Sequence, residues 1–144
     1  MKHYSDLNES EKKQLLKLPA YMSLLTSTTE AGIDKEEKDT ALKITHVKAY
    51  SSDPILVDFY KEAESVFEKT ITDLDAKLPH NREERKIAIQ LELNKLESLL
   101  SKLDPDFVSA LRRSIRSYDY YISKAHQNVM EYFIFPMPID GISD

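Results

Sequence analysis

The stretch DPDFVSALRRSIRSYDYYISKAHQNVMEY, Asp104 to Tyr132, decides the fold class. Its apolar residues fall at Val108, Leu111, Ile115, Tyr118, Ile122, Ala125, Val129 and Tyr132, alternately three and four residues apart. Side chains at that spacing share one face of an α-helix, so the stretch predicts an amphipathic helix of about seven turns with one buried stripe. Pro105, flanked by Asp104 and Asp106, suits the first helical turn. There the missing N–H costs nothing and a carboxylate meets unpaired amides.

Toward the N-terminus the same arithmetic repeats. A helix capped by Asn81, with Glu84 three residues on, is predicted to run to Leu103. Its stripe is Ile89, Leu93, Leu96, Leu100 and Leu103. Asp53 and Pro54 open another, running to about Lys77 and stopped by Pro79. Its stripe is Phe59, Ala63, Phe67, Ile71, Leu74 and Leu78. Each of the three would be roughly 35 Å long at ~1.5 Å per residue. Short connections between long helices imply antiparallel neighbours, so the expected core is an up-down-up set of these three. Shorter helices are expected to cover its open side. They run from Ser5 or Asn8 to Lys17, capped by Ser10, from Pro19 to about Thr29, and from Lys35 to about Ser51, with Leu42, Ile44 and Val47 inside.

The totals point the same way. The 144 residues fit one domain, and two glycines are too few for the many tight turns of a strand protein. The expected fold is all-α: a single-domain antiparallel helical bundle of five or six helices, residues 1–144, ending in a non-helical tail over 133–144. The absence of cysteine excludes disulfides, thiolate metal sites and a cysteine nucleophile. A net charge of −5 argues against general nucleic-acid binding. No apolar run reaches the ~20 residues that span a bilayer, and the polar N-terminus lacks the core of a signal peptide. The expected location is the cytoplasm, with no membrane association.

One loop invites a chemical reading. In EAGIDKEEKD, Glu30 to Asp39, Gly32 suits the left-handed end of a helix, and Asp34 with Glu37 has capping-box spacing for the next. The same carboxylates, joined by Glu30, are ligands of the type a hard divalent cation takes, which makes Asp34 and Glu37 candidate metal ligands. The order Glu30-Ala31-Gly32-Ile33-Asp34-Lys35-Glu36-Glu37 resembles the TerB family of tellurite-resistance-associated proteins over about residues 16–47. That family reads Ala-Asp-Gly, an apolar residue, then Asp-x-x-Glu. Asp34 and Glu37 match, while Ala31 stands where the family carries aspartate. The resemblance implies an all-α fold and a non-enzymatic role in envelope or stress-linked assemblies.

The remaining chemistry is sparse. His3, His46, His80 and His126 are scattered, without Glu-x-x-His or His-Glu-x-x-His spacing. A bundle core that brought His46 and His126 beside a carboxylate such as Glu62 would make a second metal site. Arg112, Arg113 and Arg116 beside Tyr118, Tyr120 and Tyr121 form a basic and aromatic cluster of the kind that binds anions. Tyr118, however, lies on the apolar stripe. The tail YFIFPMPIDGISD carries Phe133, Phe135, Met137 and Ile139 between prolines that forbid a helix. It either folds over the bundle or docks, extended, on a protein partner or another subunit. There is no nucleophile elbow, phosphate loop or dinucleotide fingerprint. The sequence is therefore read as a non-enzymatic interaction or scaffold protein without a cofactor. The alternative is a metal-binding helical bundle, possibly enzymatic, holding a divalent cation.

Overall fold

The segment Leu18-Pro19-Ala20-Tyr21-Met22-Ser23-Leu24-Leu25-Thr26 has no charged residue and no polar face. A helix apolar nearly all round must be enclosed. In the computed structural model, which describes residues 2–27 and 32–125, it is helix α2, Leu18–Thr26, and six of its nine residues are buried. Pro19 sits in its first turn, where the lost N–H has no helical partner to miss. Around it stand α1 (Glu9–Leu15), α3 (Lys35–Ser51), α4 (Val57–Lys77), α5 (Arg82–Leu100) and α6 (Pro105–Ile122), with 3₁₀ turns at Tyr4–Asp6 and Pro54–Leu56. The described chain is all-helical, with no strand beyond an isolated bridge between Lys2 and Leu103. No helix among the described residues is long and apolar enough to cross a membrane.

The packing corrects the expected core. The principal contacts are α3 on α4, then α2 on α6 and α4, and then α3 on α6, while α5 lies against α2 and α1. The three long helices thus gather around α2 and α3 rather than chiefly on one another. An amphipathic stripe says which face is buried but not against what. A short helix without a polar face has to be central.

The stripes themselves hold with one rotation. On α4, Phe59, Ala63, Phe67 and Ile71 are buried as expected. On α6 the buried set is Phe107, Ala110, Leu111, Ser114, Tyr118 and Ile122, while Val108 and Ile115 are half-buried. The inward face is therefore turned toward Phe107 and Ser114. The α6 helix ends at Ile122, short of the expected seven turns, and a turn carries the chain to Ala125. Val129, Tyr132 and the tail over 133–144 lie outside the described residues.

The caps are local chemistry. Asn8, not Ser10, caps α1: its side chain accepts from the Glu11 amide at 2.8 Å, and Glu11 returns the bond to the Asn8 amide at 3.0 Å. Asn81 accepts from the Glu84 amide at 3.1 Å, and of the two aspartates beside Pro105 it is Asp104 that caps. The α5 helix stops at Leu100, and Leu103 is buried in the following turn.

Candidate functional site

The corner before α3 is built as capping chemistry predicts. The Asp34 side chain accepts from the Glu37 amide at 2.9 Å, and Glu37 reaches back toward the Asp34 amide at 3.4 Å. Glu37 is fully buried and also accepts from the Ser27 hydroxyl at 2.8 Å. Both candidate metal ligands are thus bonded to the backbone that positions them. Gly32 does not close α2, which ends at Thr26. Its φ of +120° lies where only glycine is comfortable, and a Cβ there would come within 2.9 Å of the Asp75 carboxylate. That carboxylate explains the close approach. Asp75 accepts from the Ile33 amide at 3.2 Å and from the buried Arg85 at 2.6 Å, and Arg85 also donates to the Pro79 and Asp75 carbonyls. One ion pair therefore ties the α3 entry to the α4–α5 connection.

The other candidates are dispersed. His46 is exposed on α3, hydrogen-bonded to Glu64 and tilted against Tyr50. Glu62, its conjectured co-ligand, points elsewhere and accepts from Tyr4. His126 and the tail residues Phe133, Phe135, Met137 and Ile139 lie outside the described residues. Among the described residues no three His, Asp or Glu side chains gather as metal ligands would. Arg112 is paired with Glu97 at 2.8 Å, an exposed pair of little energetic weight. Arg113 donates to Ser109, and Lys124 lies over the ring of Tyr120.

A polar seam through the core is what the sequence reading missed. The inward face of α3 carries Ala41, Ile44, Thr45, Lys48 and Ala49, with Ser52 buried at its C-cap; Ile44 is inside as expected, while Leu42 and Val47 are only half-buried. Thr45 donates to the Ala41 carbonyl at 2.8 Å, so the 2.6 Å bond to Tyr118 is one in which the phenol donates. Tyr60 and Ser114 share a hydroxyl pair at 2.7 Å. Lys48 is fully buried with its ammonium 5.6 Å from the Tyr60 ring centre, a cation–π distance. The Ser52 hydroxyl, one turn on, is buried without a hydrogen bond. Burial raises the pKa of Tyr118 well above the phenol range and that of Tyr60 as well, with the Ser114 bond opposing in the second case. The readable signal was the four–three–four spacing of the small and polar residues Ala41, Thr45, Lys48 and Ser52, the last at the C-cap of α3.

The chain's first residues form a second built feature. The Lys2 amide donates to the Lys102 carbonyl and the Asp104 amide donates to the Lys2 carbonyl, both at 2.9 Å. Tyr4 stacks on Phe107 at 6.0 Å and meets the edge of Phe59 at 5.6 Å, and its hydroxyl donates to Glu62. Burial, then the bonded Glu62 carboxylate, raise the Tyr4 pKa.

Outward-facing apolar residues are few. On α5, Ile87 and Leu91 are 61% and 57% exposed, one turn apart on the side opposite Ile89, Leu96 and Leu100. No protein family, curated protein or solved structure matches this chain.

Proposed function

We propose that this chain is a non-enzymatic interaction or scaffold protein that works through helix faces and its C-terminal tail. The observation that carries the reading is the exposed pair Ile87 and Leu91, side by side on the outer face of α5. Asp34 and Glu37 at the corner and Thr45, Tyr60, Ser114 and Tyr118 in the seam support it from the other side, because they are committed to caps, helix carbonyls and one another. On the resemblance carried by Gly32, Asp34 and Glu37, the proposed setting is a TerB-like, stress-linked assembly. The test is a pair of variants, Ile87→Ser with Leu91→Ser, and deletion of residues 133–144. Under this reading both lose partner or self-association in light scattering and pull-downs. If both keep the same associations and only thermal stability changes, these surfaces are structural and the reading fails.

A further inference from the structure

Residues 2–7 cross the start of α6 as a strap, and their seat has the parts of a peptide-recognition groove. The main chain around Leu103 offers a carbonyl and an amide that Lys2 takes up in parallel-strand fashion. Phe59 and Phe107 hold the Tyr4 ring, Glu62 takes its hydroxyl, and Leu7 is buried three residues further on. The Lys2 and Lys102 ammonium groups both approach Glu11, at 3.9 and 3.8 Å. The strap joins α1 through Leu7 and Asn8, both in extended backbone that any residue adopts. Rotation at these two residues frees it without breaking a helix.

We propose that this strap exchanges between two copies of the chain, each seating residues 2–7 in the other's groove. A second copy is the occupant the contacts specify. It brings the same main-chain register, the same aromatic hydroxyl for Glu62 and the same lysine for Glu11. The closed and exchanged forms make identical contacts, so their balance is set by effective concentration. For a segment on a short hinge that is on the order of millimolar. Dilute chains are therefore closed, and exchange appears as the concentration, or the local concentration within an assembly, approaches that range. Exchange needs no other protein, so it stands or falls separately from the interaction reading.

The chain has no cysteine, which makes the test clean. One batch carries Lys2→Cys and another Lys102→Cys; each variant has a single thiol, so a short bis-maleimide can link them only between chains. The control partner is Lys86→Cys, on the exposed side of α5. The expected result is a mixed Lys2→Cys/Lys102→Cys dimer that rises steeply with concentration and exceeds the control pair. It should be lost when the Lys2→Cys chain also carries Tyr4→Ala and kept with Tyr4→Phe, with folding of each variant checked by circular dichroism. A yield no greater than that of the control pair, or one indifferent to Tyr4→Ala, overturns the proposal.

Discussion

Replacing Thr45 by valine should cost more than replacing Tyr118 by phenylalanine, although each removes one hydroxyl from the same bond. The asymmetry comes from what is left behind. Tyr118→Phe leaves Thr45 still donating to the Ala41 carbonyl at 2.8 Å, so no donor is orphaned. The expected loss is about 0.5–1.5 kcal/mol, the net worth of one hydrogen bond. Thr45→Val leaves the Tyr118 hydroxyl without its acceptor at a residue with no solvent exposure. The expected loss is about 1–3 kcal/mol, the desolvation cost of an unsatisfied buried group. In the double variant no orphan remains, and the loss should fall below the sum of the singles by about 1 kcal/mol or more. Urea unfolding of the four proteins, followed by helical ellipticity at constant slope, measures the cycle. Additivity within about 0.5 kcal/mol, or a costlier Tyr118→Phe, would refute the bonding direction and the burial of the Tyr118 hydroxyl.

Alkaline unfolding and the Gly32 corner supply two further tests. Tyr4, Tyr60 and Tyr118 have raised folded-state pKa values, chiefly through burial, so above about pH 10 the unfolded chain loses phenolic protons that the folded chain keeps. Their contribution is fully present below that pH and is lost as pH rises toward the folded values, by roughly 1.4 kcal/mol per pH unit per phenol, ~4 for the three. Phenolate absorbance, undisturbed by tryptophan, should show the buried phenols Tyr4, Tyr60 and Tyr118 ionising only together with helix loss. A smooth titration of all eight tyrosines in a still-helical protein would contradict this. Gly32→Ala should destabilise by about 1–3 kcal/mol, because it places a Cβ at positive φ and within 2.9 Å of a carboxylate already held by Arg85. An unchanged urea midpoint would remove the strain and the role given to Asp75.

Fold class was legible because it rests on two robust signals, the near-absence of glycine and the long stripes on α4 and α6. The Asp34–Glu37 box was equally legible, since capping is decided within four residues. Centrality of α2 was not, because stripe counting rewards long amphipathic helices and passes over a short one that is apolar on every side. On α3 the buried Ile44 was legible, but the polar part of the inward face escaped for the opposite reason. Thr45 and Lys48 are polar, and their burial depends on Tyr60, Ser114 and Tyr118 arriving from α4 and α6. At α1, Asn8 and Ser10 are both good caps, and the Glu11 side chain three residues after Asn8 decides between them.

The central claim is that this chain acts by binding other protein chains through its outer surfaces. Cross-linking mass spectrometry on protein purified from its own cells tests it most directly, with wild type and the Ile87→Ser/Leu91→Ser variant run in parallel. Burial of those two half-exposed side chains is worth about 1–2 kcal/mol each, so their loss should weaken binding by roughly one to three orders of magnitude. The account predicts a stoichiometric partner, or a second copy, linked to the outer face of α5 in wild type and absent from the variant. Equal recovery from both proteins, or no protein linked at α5 in either, would contradict it.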